Sequence, residues 1–540
     1  MGPVSAHAED YHAAYALFEG VQSERRAEAY AALPAATAEA RRHGWTDVGI
    51  VLDGARLVHD LAAPGRSVHP DDVTPLCRRA ENAGLTALHA VNLGLRALAS
   101  GTVSDSMSLM ADASLAVALL DDESQPPLDR CTGYVIAGAA FNTLRLWELV
   151  DELYGRAHAL EARCEVPAMA NAVAINRVLT RVEWAVALLE SGDAAQCHDR
   201  LAQAAAAVPG ALALDLPPLW RRDVEALGVV ASLLAGGAPG PLLPDIETRR
   251  ASLVEDGDVE ALPLLDAAVA WSLWQTGDDL AAVAACQRLT TAASASSASA
   301  SFLTWVRAQV LAGREPTEAV HAQADHARLL GRLRWESREA VLVSARAQIS
   351  AERRGSEHER LVRAANTDPL TGLHNRRAFD AWLGQAPSSA PRITALVLVD
   401  LDGFKQVNDG HGHSSGDEVL RRIGRLLQAA VRPEDLAVRH GGDEFAVLLS
   451  GVDLTPTTAQ ERARDLLRSI QDQGWDDVSP GLVVSASIGM ALSAPETSWD
   501  PAELYRAADA ALYRAKRGEG GLVVADLGAG GVPAPRPAWA

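Results

Sequence analysis

The sequence predicts a multidomain protein: an all-α, repeat-like N-terminal region, one long connecting helix, and a C-terminal α/β domain. Three observations predict it. Alanine-rich stretches punctuated by breakers run through residues 1–320, and alanine has the best helix propensity. A charged stretch over 321–365 contains no Gly or Pro besides Gly331 and Gly355. From 366 to 526, strand-like and helix-like patterns alternate. A length of 540 residues also exceeds what one domain holds.

Residues 1–320 read as helix after helix, broken at "LAAPGRSVHP", "DDESQPPLD" and "AGGAPGPLLP". Two segments are alike, "VALLESGDAAQ" and "WSLWQTGDDLA", each an apolar helix end, a Gly-Asp pair and a second helix. They resemble a tetratricopeptide-like hairpin. The Gly-Asp pairs lie 85 residues apart, no multiple of the ~34-residue period, so an irregular α-solenoid is expected. Two roles stand open for it: a helical dimerisation scaffold, or a sensor for an unknown ligand or protein. Its Trp and Tyr residues either line a groove or fill the core.

The stretch 321–365 predicts a helix of about 45 residues, roughly 68 Å at ~1.5 Å per residue. Leu329, Leu333, Val341 and Ile349 punctuate its charges, so pairing with a second copy is expected. "NTDPLTGLHNRRAF" then ends the helix, because Asp-Pro disfavours it and Thr371-Gly372 makes a turn.

"ITALVLVDLDGFKQVNDGHG" gives a buried strand, Ile393 to Val399, ending in acids, and a helix follows over about Gly416 to Ala430. "VRPEDLAVRHGGDEFAVLLSG" gives two strands around Gly441-Gly442, a hairpin turn that calls for positive φ. "ERARDLLRSIQ" is helical, "LVVSASIGMAL" a strand, and "PAELYRAADAALYRAKRG" a helix. The order is βαββαβ, a ferredoxin-like arrangement with extra edge elements. The Gly/Pro-rich tail, 527–540, is expected to be disordered.

A formal net charge of −21 argues against a large nucleic-acid-binding surface. It leaves a nucleotide substrate open, because exposed charges are screened beyond about 8 Å and a local metal ion outweighs a distant acidic surface. The five cysteines show no C-x-x-C spacing and are expected to be buried, reduced thiols. "MGPVSAHAEDYHAAY" lacks a basic region and an apolar core, and the apolar runs are too short to span a bilayer. A soluble, cytoplasmic protein without membrane contact is expected.

Two pairs of acids carry the chemistry. Asp400 and Asp402 end a buried strand, and Asp443 and Glu444 sit on the hairpin turn, so the four can converge. Carboxylates, a backbone carbonyl and phosphates suit Mg²⁺, and two such ions polarise a phosphate and activate a hydroxyl. On these acids alone, Asp400 can equally be a strand-ending residue that caps a loop.

Gly441-Gly442-Asp443-Glu444-Phe445 stands at the turn, and "DPLTGLHNRR", "DLDGFKQVND", "GHSSGDEVL" and "YRAKRG" stand in order around it. With the first as a literal signature, these residues resemble the GGDEF family, the diguanylate cyclases. The resemblance covers about 366–525 and implies a nucleotidyl-cyclase-like fold that condenses two GTP into cyclic di-GMP across a homodimer. It implies that the Gly441-Gly442 backbone approaches a GTP phosphate. Asp443, Asp400 and the Leu401 carbonyl would bind Mg²⁺, with Mn²⁺ as a substitute. Glu444 would support the metal site or the attacking 3′-hydroxyl. Asn408 and Asp417 would read guanine, and Lys405 and Lys516 would neutralise the β- and γ-phosphates. Arg432 and Asp435, as R-x-x-D, match the family's inhibitory product site, with Arg462 or Arg464 as a secondary contact; a capping turn is the plainer reading. One departure is Gly520, where the family usually carries an Arg, and Arg517 is the nearest substitute. The alternative function is a catalytically weak receptor for cyclic di-GMP, or a signalling scaffold. The string Glu-Ala-Leu at 225–227 and 260–262 also names a phosphodiesterase family, but no metal-ligand pattern accompanies either copy.

Overall fold

The computed structural model describes residues 7–23, 26–61, 66–102, 104–164, 166–237, 243–256, 261–288, 297–314, 317–385, 393–432, 434–451, 454–493, 500–519 and 521–527. The expected tail beyond 527 and Gly520 lie outside them. The chain divides into two units, 1–356 and 357–540.

In the first unit the described residues between Ala8 and Arg314 form fifteen α-helices. Both Gly-Asp pairs are helix junctions. Gly192 (φ 94°) and Gly277 (φ 84°) adopt the left-handed conformation that ends a helix, which glycine does without steric cost. Asp193 then accepts from Gln196 N–H at 3.0 Å and Asp278 from Ala281 N–H at 3.1 Å, each capping the next helix. Six of the tryptophans belong to one core. Trp147, Trp184 and Trp305 are buried, and Trp271, Trp274 and Trp335 pack against the same cluster. All five cysteines are buried and free. Among the described residues no helix is long and apolar enough to cross a membrane.

The long helix spans Glu318–Asn366, 49 residues. Its buried positions are Ala324, Gly331, Arg338, Ala345 and Ile349, the first four spaced by seven. The stripe crosses helices of its own chain. The Ala324 carbonyl accepts from Gln309 at 3.3 Å. Gly331 lies against the backbone carbonyl of Glu190, where any Cβ would collide. Arg338 is bidentate on Glu148, at 2.7 Å for one of the two bonds, and its guanidinium lies 4.0 Å from the Trp335 ring centroid and 5.5 Å from that of Trp147. Farther on, Arg353 donates to Asp121 at 2.5 Å. The four residues expected to face a second copy therefore divide. Val341 and Ile349 join the intrachain core, whereas Leu329 and Leu333 are 45% and 50% exposed. The buried face carries Ala, Gly, Arg and Ile rather than leucines.

The second unit begins its α/β part with β1 (His374–Asn375) and α1 (Arg376–Gln385), then β2 (Ile393–Leu401), α2 (Phe404–His411), α3 (His413–Ala430), β3 (Leu436–Gly441) and β4 (Glu444–Gly451). α4 (Pro456–Gln471), β5 (Ala486–Leu492), α5 (Pro501–Arg514) and β6 (Leu522–Asp526) complete it. The strands make one mixed sheet in the order β1-β3-β4-β2-β5-β6, with β2 antiparallel to both β4 and β5. The unbroken apolar run of β2 reflects cover on both faces. Ala395, Val397 and Val399 join one core with Val419, Ile423 and Leu466, while Leu396 and Leu398 join another with Phe379, Leu504 and Ala508.

Two sequence expectations shift. β5 starts at Ala486 rather than at Leu482. Of the two turn glycines, Gly442 has φ 54°, whereas Gly441 stays in β3. The register explains this: Arg439 pairs with Phe445 and Gly441 with Glu444, which leaves His440 as the extra residue of a β-bulge.

Candidate active site at the hairpin turn

β2 and β4 bring the acids together. Asp400 is the cross-strand partner of Glu444, and the next residue, Leu401, donates its N–H to the Asp443 carbonyl at 3.3 Å. The Asp400 side chain is 10% exposed, and the Lys516 ammonium lies 2.6 Å from its Oδ2. Burial raises the Asp400 pKa, Lys516 draws it back, and nearby Asp443 and Glu444 push it up further. A cation thus already sits on this carboxylate. Lys516 reaches it from the π-turn Ala515–Glu519, which follows α5 and contains Gly518 at φ 89°.

Asp402 does not converge with the others. Its carboxylate accepts from the hydroxyls of Ser485 at 2.9 Å and Ser487 at 2.8 Å, and its N–H donates to the Ser485 carbonyl at 2.9 Å. It ties the end of β2 to the edge of β5. Among the described residues no three His, Cys, Asp or Glu side chains are gathered as a metal site. Asp443 lies close enough to Asp400 for its charge to raise the Asp400 pKa, and both carboxylates, like the Leu401 carbonyl, are hard oxygen donors. That chemistry fits Mg²⁺.

A Cβ added at Gly441 or at Gly442 would meet nothing within 4 Å, so the turn backbone is open to close approach. Arg439 braces it, donating to the Gly442 carbonyl at 3.1 and 2.8 Å. Asn408 on α2 lies against Gly416 of α3, the residue before Asp417. A Cβ at Gly416 would collide with Asn408 Oδ1, and the loop between the helices turns at Gly412, φ 85°. Lys405, on the first turn of α2, and Asp417 are exposed.

Arg517, the expected substitute at the departure, lies 5.8 Å over the ring of Tyr513. That ring, near the end of α5, is 56% exposed, so Arg517 is not turned inward. At R-x-x-D the two side chains part. Asp435, 1% exposed at its side chain, accepts from Arg462 at 2.6 Å, Arg432 N–H at 2.9 Å and Ser450 N–H at 3.2 Å. The Arg432 side chain is 65% exposed. Of the two arginines named as secondary contacts, Arg462 pairs with Asp435, whereas Arg464 donates to Gln460 at 3.2 Å. Sequence reasoning missed Tyr505 and Asp509 on α5, and His440. Burial and then Asp509 and Glu444 raise the Tyr505 pKa, and burial and then Glu444 raise that of Asp509. Their i, i+4 spacing on a helix facing the turn was the available signal.

Residues 365–521 match the family profile described as "Diguanylate cyclase, GGDEF domain". Probable diguanylate cyclase DgcT of Escherichia coli (strain K12) is 38% identical over 166 residues, 30% of this chain and 36% of its own length. Cyclic di-GMP phosphodiesterase PdeR of the same strain is 37% identical over 182 residues, 33% of this chain and 26% of its own length. The chain thus spans 36% or less of the length of these two relatives. A crystal structure of the coiled coil and GGDEF domain of DgcB from Caulobacter crescentus in complex with c-di-GMP is similar at 27% identity and a TM-score of 0.30, covering 35% of this chain and 98% of that one. Helix-rich through its first unit, the chain carries in residues 365–521 a domain of the GGDEF, diguanylate cyclase type.

Proposed function

We propose that the C-terminal domain condenses two GTP molecules into cyclic di-GMP and two pyrophosphates, one GTP held by each domain of a two-fold dimer. Asp400 carries the reading. It is a buried carboxylate at the end of β2, opposite Glu444, with the Lys516 cation against it and an open glycine turn beside it. Asp400, Asp443 and the Leu401 carbonyl would hold Mg²⁺, which supplies polarisation of the reacting phosphate. The Gly441-Gly442 backbone leaves room for the phosphates, and Lys516 and Lys405 offset their charge. Asn408 and Asp417 offer a carbonyl and a carboxylate to the N1–H and amino donors of guanine, a donor pair that adenine lacks.

Each 3′-hydroxyl oxygen bonds to the α-phosphorus of the other nucleotide as the bond to the β-phosphate oxygen breaks. Pyrophosphate leaves, and Glu444 takes the hydroxyl proton. Holding both reactants in place replaces a bimolecular encounter. Product bound at Arg432 and Asp435 would feed back on the reaction. The test is incubation of the purified protein with GTP and Mg²⁺ and chromatography of the products: cyclic di-GMP is expected, and unchanged GTP rejects the reading.

The Arg517 side chain, turned onto Tyr513, supports the second reading, a weakly catalytic receptor that binds cyclic di-GMP at Arg432 and Asp435. Product binding without turnover would select it.

A further inference from the structure

We infer that His440 is a positioning residue for Glu444, holding that carboxylate at the edge of the signature turn. The inference rests on the cyclase reading above. Its basis is the bulge in β3. In a regular strand, successive side chains alternate faces. Here the register between β3 and β4 slips by one at His440, and a bulge re-aims the side chain it carries.

The re-aimed ring is fixed on several sides. It is 11% exposed and meets Phe379 edge-on at 5.4 Å between centroids, and it lies 5.9 Å from Tyr505. Phe379 and Tyr505 also meet each other at 6.0 Å, so three rings close a triangle built from α1, β3 and α5. From this fixed frame Nδ1 lies 3.6 Å from Glu444 Oε2.

Glu444 needs such a frame. Its side chain is 57% exposed, and a long, solvent-facing carboxylate populates several rotamers. Asp509 and the cross-strand Asp400 lie close enough to set like charge against it. The nitrogen of His440 is the opposing attraction. A separation of 3.6 Å exceeds a hydrogen bond, but catalytic contacts in a free site are commonly long and tighten when substrate binds.

Two substitutions in the full-length protein separate the nitrogen from the ring. His440→Phe keeps the aromatic triangle and removes Nδ1. His440→Asn places an amide N–H near the Nδ1 position and gives up the ring. His440→Phe is expected to lower kcat about 10-fold with KM for GTP within about 2-fold, and His440→Asn to recover part of that loss. Unaltered kcat in His440→Phe overturns the inference, as does a loss confined to KM, or an Asn variant no better than the Phe variant. A second measurement needs no turnover: the ring ¹⁵N resonances of His440 are compared in the wild-type protein and in Glu444→Gln. A shift supports the pair, and unresponsive resonances overturn it. If the wild-type protein makes no cyclic di-GMP, the cyclase reading falls and takes the catalytic part of His440 with it. The resonances still decide whether His440 holds Glu444.

Discussion

Arg439 joins Asp368 to the signature turn. One guanidinium nitrogen lies 3.1 Å from Asp368 Oδ1, while the other two nitrogens bond the Gly442 carbonyl. Asp368 stands two residues beyond the end of the long helix and also accepts from the Thr371 N–H at 2.9 Å and its hydroxyl at 2.7 Å. The helix end and the turn that would face substrate thus share one arginine.

That bridge has a pH signature. Burial works to raise the Asp368 pKa, but the Thr371 and Arg439 bonds outweigh it and hold the carboxyl below its ordinary value. A carboxyl depressed in the folded state stabilises the fold above its unfolded pKa, and the contribution disappears as pH falls through the folded value. Below pH ~4, the unfolded reference for Asp, the wild-type melting temperature should fall more steeply than that of Asp368→Asn. Parallel curves would show that Asp368 is not held this way.

Asp443→Asn should abolish synthesis and leave the far-UV spectrum unchanged. The acid sits on an exposed turn and its backbone carbonyl, which bonds Leu401, is retained. Removing Mg²⁺ with a chelator should stop wild-type turnover as well. A variant with near-normal turnover would remove Asp443 from the metal set.

Replacing Asn408 and Asp417 together should relax the preference for GTP over ATP. A site that pairs substrate donors rejects analogues that leave its acceptors unpaired, and losing the acceptors loses the rejection. Competition assays with both nucleotides measure it. An intact preference would assign base reading to other residues.

Arg432 and Asp435 should separate in their effects. Arg432→Ala, at a solvent-facing side chain, should leave the melting temperature and initial turnover near wild type while weakening inhibition by added cyclic di-GMP. A coupling of about 1–3 kcal/mol corresponds to a 5- to 150-fold shift. Asp435→Ala should destabilise, because it strips Arg462 and two backbone N–H groups of a buried acceptor. Turnover is followed at rising product with pyrophosphatase present. Identical inhibition curves would reduce R-x-x-D to the capping turn that its hydrogen bonds already describe.

The first unit carries its own titration. Glu19 is 6% exposed, its Oε2 has no hydrogen-bond partner, and burial pushes its pKa up to about 8. An acid raised in the folded state makes the fold less stable as pH climbs from the unfolded value to the folded one. Between pH ~4.5 and about 8 the helical unit should lose stability, and Glu19→Gln should flatten that slope. Thermal melts across the range check it; a slope unchanged in the variant would place the titration elsewhere.

The sequence made the second unit legible in some detail. Apolar runs and turn residues located β2, β3, β4, α4 and α5, because those elements are local. The acids at the end of β2 and on the turn were legible for the same reason. Less visible was what depends on register. Asp402 follows Asp400 by two, a spacing that suggests a shared role, yet two serines on β5 claim it. His440 gave no signal because a one-residue bulge cannot be read from a single strand. In the long helix, Leu329 and Leu333 attracted attention as large apolar residues, whereas the seam runs through Ala324, Gly331, Arg338 and Ala345. Helix faces are chosen by closeness of approach as well as by hydrophobicity.

That seam works as a keyed track. Its stations repeat every seven residues, so a slide by one repeat, about 10.5 Å at ~1.5 Å per residue, would bring each station to its neighbour's place. The chemistry forbids it. Arg338 would arrive where the Glu190 carbonyl admits no Cβ, or Gly331 would arrive between Trp147 and Glu148 with no guanidinium to offer. A repeat of four identical leucines would have tolerated either slip. With Ala, Gly, Arg and Ala the stations are not interchangeable, and a slide by one whole repeat is excluded.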